Sequence, residues 1–100
     1  MKSIDTIEFN SNVNLDNGFT NNSLGEHKST MELFSTSDIE QNPTYYLIEW
    51  DIPALDVTEH IGLTIENNNL IDFDGVFELP LQAIELLEKN KINVSEEFRQ

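Results

Sequence analysis

Apolar positions in residues 44–98 fall into two periods. Tyr46, Ile48, Trp50 and Ile52 alternate with Tyr45, Leu47, Glu49 and Asp51, the two-residue period of a strand with one face turned inward. Pro53 ends the run, because proline has no N–H to give a ladder. A loop over Ala54 to Glu59 is expected next. Beyond it Ile61, Leu63 and Ile65 share one face of a second strand, and Gly62, Thr64 and Glu66 share the other. Asn67-Asn68-Asn69 reads as a turn, since asparagine tolerates positive φ. A three-residue loop there pairs Ile65 with Ile71 and Leu63 with Phe73 on the return strand Leu70 to Phe73. A slip by one would set Leu63 against Asp72 on the inner face, so burial fixes the register.

The period changes after Asp74-Gly75, another turn, and a short extended piece from Val76 to Leu79. Pro80 suits the first position of a helix that runs to about Asn90. Leu81, Ala83, Ile84, Leu86 and Leu87 then make one broad apolar face, with Gln82, Glu85 and Lys89 turned away. Glu85 and Lys89 form an i,i+4 pair worth about 0.3 kcal/mol. Lys89 and Lys91 stand at the C-terminal end, where the helix dipole favours cations. Ile92 and Val94 predict a terminal extended segment, and Phe98 a last packed hydrophobe.

Residues 1–43 are richer in Asn, Ser and Thr, with single hydrophobes between them. Ile7 and Phe9 alternate with polar neighbours, and Val13 and Leu15 follow the triplet Asn10-Ser11-Asn12. The expected arrangement is a hairpin opposing Phe9 to Val13 and Ile7 to Leu15, followed by a turn at Asp16-Asn17-Gly18. The alternative is an arm that orders on binding a partner. Thr30 to Phe34 and Ser37 to Gln41 each hold a helical turn on this reading, with Ser37 as N-cap and Glu40 three residues on. The chain is expected to form one small α+β domain over 1–100, an antiparallel sheet built of β-hairpins with a C-terminal helix packed on one face.

Charge adds a constraint on partners. The 19 acids and 5 bases among 100 residues give a formal charge of −14, which excludes direct nucleic-acid binding through a basic surface. The bases are Lys2, Lys28, Lys89, Lys91 and Arg99, so the 60 residues from Ser29 to Glu88 carry 13 acids and no Lys or Arg. A globule of this length has a radius of gyration of about 13 Å, against a Debye length of about 8 Å, so many of these acids feel one another. The chain also holds twelve Asn and only four Lys. Solubility alone accepts lysine, whereas a surface that meets a basic partner avoids it. The plainer reading of the same charge is a solvated surface.

Once one sheet face is covered by the helix, the other face collects Tyr45, Leu47, Glu49 and Asp51 on the first strand. Thr64, Glu66, Leu70 and Asp72 join them from the hairpin, with Asp74 and Glu78 at the rim. Acids interleaved with Tyr and Leu match an interface with apolar anchors in a polar surround. Tyr45, Leu47, Glu49, Asp51, Glu66, Asp72, Asp74 and Glu78 are therefore the candidate partner-binding residues. An ordinary solvated face, whose charges discourage edge-to-edge aggregation, is the alternative.

Catalytic chemistry has little to stand on. Glu49 with Asp51, or Asp72 with Asp74, can be written as acid/base pairs, but neighbouring acids are expected where one residue in five is acidic. His27 and His60 are too few for a metal cluster, and His60 falls on the polar side of its strand. Asp72-Phe73-Asp74-Gly75 matches a fragment of a calcium loop but lacks the remaining spaced oxygen ligands. The glycines, at 18, 25, 62 and 75, form no phosphate-binding loop. Without cysteine there is no disulfide framework, thiolate metal site or cysteine nucleophile. Trp50 belongs to the inward set and reads as core. No cofactor is expected.

Met-Lys-Ser-Ile-Asp meets an acid before any apolar h-region, so no signal peptide is expected, and no apolar run is long enough to span a membrane. The expected setting is cytoplasmic. The leading expectation is a non-enzymatic acidic inhibitor that occludes the positively charged site of a basic partner, such as a nuclease toxin met by its immunity protein. The alternatives are a phage or mobile-element mimic of nucleic acid that fills the channel of a nucleic-acid-binding defence enzyme, and an accessory or oligomerising domain whose acidity serves solubility alone.

Overall fold

A computed structural model of the chain describes residues 2–12, 26–35 and 44–99. Strands β1 (Lys2–Asn12), β2 (Glu26–Ser35), β3 (Thr44–Ile52), β4 (Val57–Glu66) and β5 (Asn69–Asp74) form one antiparallel sheet in chain order. Helix α1 (Leu81–Lys89) follows and packs on one sheet face. This is the expected small α+β fold.

Alternation sets the two faces, since residues directly opposite on paired strands point the same way. Ile7 and Phe9 of β1 lie opposite Met31 and Ser29 of β2, and Met31 and Leu33 lie opposite Trp50 and Ile48 of β3. Ile48 and Tyr46 face Ile61 and Leu63 of β4, and Leu63 faces Phe73 of β5. These residues form the inner face. Met31, Leu33, Ile48, Ile52 and Ile61 are fully buried, and Tyr46, Trp50 and Phe73 pack partly buried against the same core.

The first half of the described chain departs from expectation. Asn10, Ser11 and Asn12 are not a loop; they continue β1 and pair with Lys28, His27 and Glu26. The proposed Phe9–Val13 hairpin is thereby replaced by pairing of Phe9 with Ser29, while Val13, Leu15 and the Asp16–Gly18 turn lie outside the described residues. Thr30 to Phe34 is strand rather than helical turn. Five residues with three hydrophobes, Met31, Leu33 and Phe34, fit either period, and pairing on both sides, with β1 and β3, favours the extended form. Ser37 to Gln41 lies outside the described residues.

The link from β3 to β4 is tighter than the expected loop. Pro53–Leu55 makes one 3₁₀ turn, and Asp56 adopts a left-handed φ of 53° with its N–H donated to the Pro53 carbonyl at 3.1 Å. The reversal is complete by Val57, which pairs at once with Ile52, so Val57 to Glu59 belong to β4.

The β4–β5 hairpin corrects the register in one detail. Its loop has two residues, Asn67 and Asn68, at φ of 53° and 64°, the left-handed pair that a primed turn demands. Glu66 pairs with Asn69, and Ile65 with Leu70 rather than Ile71. A bulge at Ile71 then restores the expected pairing of Leu63 with Phe73. Leu70 therefore sits on the inner face, 3% exposed, and not with the outer set, whereas Ile71 is 47% exposed. A second bulge at Ile4 interrupts β1 between Ser3 and Asp5.

Pro80 precedes the helix as its N-cap, one position earlier than expected, and its carbonyl accepts the Ile84 N–H at 3.1 Å. Ala83, Ile84, Leu86 and Leu87 are buried; at 3.6 residues per turn they share one arc, and Leu81 falls about 60° beyond it. Leu81 is accordingly 61% exposed, a departure from the five-residue apolar face. The C-terminal end closes with the Ile92 N–H on the Leu87 carbonyl and the Lys91 N–H on the Glu88 carbonyl, each at 3.0 Å. This is a Schellman cap with Lys91 at φ 66° in the place glycine usually takes.

Two ties hold the helix across the sheet. Lys89 turns to Asp5 of β1, Nζ to Oδ2 at 3.2 Å, rather than to Glu85, and Asn90 donates to the same carboxylate at 3.0 Å. At the other edge Leu70 donates to the Asn93 carbonyl at 2.9 Å and Asn93 donates to the Asn68 carbonyl at 2.8 Å, so the chain after α1 lies along β5. Ile92 and Val94 are buried there, and Phe98 meets Phe73 edge to face at 5.8 Å.

Candidate interaction face

The sheet face opposite α1 presents the alternate residues of all five strands. Cross-strand register sorts them into rows. Glu32, Glu49 and His60 form one row, and Thr30, Asp51 and Thr58 the next. Phe34, Leu47, Gly62 and Asp74 form a third, with Tyr45, Thr64 and Asp72 beside it. Glu66 closes the β4 end opposite Asn69, and Glu8 of β1 lies opposite Thr30.

The carboxylates toward β1 are engaged locally. Glu32 stands directly opposite Glu49, a like-charge juxtaposition that disfavours the pairing. Ser3 donates its hydroxyl to Glu32, and His60 Nε2 lies 3.7 Å from Glu49 Oε2, so each acid has a polar neighbour. Thr58 donates to Asp51 at 3.0 Å, and Lys28 lies 3.7 Å from Glu8. Of the other bases, Lys89 and Arg99 pair with Asp5 and Glu88. Lys28 is the lysine that the register places on this face among the described strands, and it sits at its far corner opposite Asn10.

A shallow hollow of about 270 Å³ lies toward the other edge. Gly62 and Thr64 of β4 make its floor. Tyr45 and Leu47 of β3 stand on one side, and Asp72 and Asp74 of β5 on the other. Gly62 leaves room for the Asp74 carboxylate, since a Cβ would meet Asp74 Oδ1 at 2.5 Å and the side chain would have to turn away. Gly75, just beyond, is required twice over: its φ is 95°, and a Cβ would fall 2.1 Å from the His60 carbonyl oxygen.

Of the candidate residues, Tyr45, Leu47, Glu49, Asp51, Glu66, Asp72 and Asp74 share this face, while Glu78 is exposed in the link between β5 and α1 and belongs to no strand. Glu8, Glu32, Phe34 and His60 stand on the same face and were not among them. The two-residue spacing of Glu32 and Phe34 was the available signal, hidden where Thr30–Phe34 also fits a helical turn. Among the described residues no three His, Asp or Glu side chains gather as metal ligands, and no helix is long and apolar enough to cross a membrane. No protein-family model, curated protein or solved structure matches the chain.

Proposed function

We propose that this chain is a non-enzymatic acidic binding protein that inhibits a basic, nucleic-acid-acting partner protein by covering its positively charged site, in the manner of an immunity protein. The observation that carries the reading is the sheet face opposite α1, where Glu8, Glu32, Glu49, Asp51, Glu66, Asp72 and Asp74 surround Phe34, Tyr45 and Leu47. Carboxylates of this kind pair with Arg and Lys of the partner and steer its approach, while the apolar residues anchor the complex once it is formed. Their arrangement in rows broken by Thr, Tyr and Leu favours a complementary patch over a continuous track of phosphate-like charges.

The test begins with a partner captured by the full chain from its source cell. That partner is expected to be basic, to bind DNA or RNA alone, and to release it when the chain is added. Replacing Glu49 and Asp51 together by Lys is expected to slow association about tenfold or more at low salt and to flatten its salt dependence. A partner that holds nucleic acid and this chain at the same time would sink the occlusion reading.

A further inference from the structure

We propose that the hollow between β3 and β5 is a binding site for an arginine side chain of a protein partner; the inference rests on the acidic-face reading above and names the residue type that face receives. Asp72 and Asp74 line the hollow and differ from the carboxylates toward β1. Glu32, Asp51 and Glu8 each have a hydrogen-bond or ionic neighbour and Glu49 has the His60 ring beside it, whereas the side chains of Asp72 and Asp74, like that of Glu66 at the strand end, make no hydrogen bond or ion pair with any described residue. They are successive same-face residues of one strand, about 7 Å apart along it.

The opposite wall is apolar. Tyr45 is 51% exposed and Leu47 stands beside it, two strands away from the carboxylates, with only Gly62 and Thr64 between. Adjacent strands lie about 4.8 Å apart, so the trough is roughly 10 Å across, wide enough for one extended side chain lying over the β4 backbone. Its chemistry is one-sided: two carboxylates and a hydroxyl accept hydrogen bonds, and a phenol ring and a leucine offer apolar surface. Guanidinium matches this set. It carries five donors and no acceptor, its plane stacks on aromatic faces, and its weak hydration tolerates an apolar wall. An ammonium would meet the charge but not the ring and the fork geometry. With no side chain at Gly62, the Asp74 carboxylate folds over the β4 backbone, its Oδ1 2.5 Å from where a Cβ would stand, and so lies on the floor of the trough.

The test uses the full chain, ¹⁵N-labelled, at low ionic strength, titrated with N-acetyl-arginine amide, N-acetyl-lysine amide and the neutral isostere N-acetyl-citrulline amide. Arginine is expected to shift the amides of Gly62, Thr64, Asp72 and Asp74 and to bind about threefold or more tightly than lysine, with citrulline silent. Asp72→Asn and Asp74→Asn, which keep side-chain shape, are each expected to weaken arginine about fivefold, and Tyr45→Leu about threefold; the spectrum of each variant reports its folding directly. Equal affinity for arginine and lysine, or no binding at all, overturns the site. Shifts centred on Glu49 and Asp51 with the trough silent also overturn it, while leaving the acidic-face reading in place. Arginine held in the trough supports the site even where the captured partner proves indifferent to Glu49→Lys and Asp51→Lys, a result that counts against the acidic-face reading alone.

Discussion

The two faces of the sheet are drawn from the same strands, one residue apart, and they have opposite physical tasks. On the inner face Leu33, Ile48 and Ile61 lie side by side across β2, β3 and β4, fully buried in one core cluster with Leu86 and Leu87 of α1. On the outer face the neighbouring row is Glu32, Glu49 and His60, two acids and a histidine that the register brings together. The inner row gains from contact, since each buried aliphatic side chain contributes about 1.5–3 kcal/mol. The outer row loses from it, because like charges directly opposite oppose pairing. A sheet that tolerates such a row is held by its other face, which leaves the outer one free to be chosen for something other than stability.

The sharpest way to break the comparison is to delete the same kind of side chain from each face. Leu86→Ala removes a fully buried residue from beneath the sheet and is expected to cost about 2–5 kcal/mol. Leu47→Ala on the outer face, where the side chain is only partly covered, is expected to cost less than about 1 kcal/mol. Urea unfolding of both variants measures the difference. Comparable losses would mean that the outer face is itself packed against something in the free protein, and its reading as an interaction surface would fall.

The same asymmetry decided what the sequence made legible. β3, β4 and α1 were readable because their inward residues are large and regularly spaced: Ile61, Leu63 and Ile65 permit one register, and Ala83, Ile84, Leu86 and Leu87 permit one helix face. The outer residues of β3, β4 and β5 followed from them by alternation, which is how Tyr45, Leu47, Glu49, Asp51, Glu66, Asp72 and Asp74 were found. β2 carries Ser29 and Ser35 at inward positions around Met31 and Leu33, so its apolar signal was too short to tell two periods apart. Glu8, Glu32 and Phe34 were lost with it. The bulge at Ile71 was invisible for another reason: a two-residue turn plus one extra residue returns Phe73 to the place that a three-residue turn gives it.

Charge reversal on the outer face offers a smaller effect of opposite sign. Glu32→Lys turns the Glu32–Glu49 opposition into an attractive pair at the expense of the Ser3 hydrogen bond, and is expected to stabilise the fold by about 0.5 kcal/mol. Both side chains are partly in solvent, so the gain should shrink as salt is raised. Unfolding at low and high ionic strength checks it. A variant no more stable than the parent at low salt would show that the outer carboxylates do not repel one another, and the trade between stability and charge on this face would lose its support.

The smallest effect separates the faces by pH. Asp5 is an acid of the inner register, opposite Leu33 at the β1 edge. The Asn90 amide donates to it, Lys89 lies beside it, and the Thr6 N–H adds a third donor, which together hold its carboxyl below the ordinary aspartate value. An acid whose folded pKa is lowered binds its proton more readily in the unfolded chain. Its contribution is therefore complete above the ordinary value of about 4 and is lost as pH falls below that value and through the lowered one. The stability difference between the parent and Asp5→Asn isolates this contribution, because every other carboxylate is common to both. That difference should be flat near neutrality and change only below about pH 4, narrowing there as the parent loses its tie between β1 and the end of α1. A difference that holds constant into strong acid would show that Lys89 and Asn90 do not favour the charged form, and the helix would then be held to β1 by its apolar face alone.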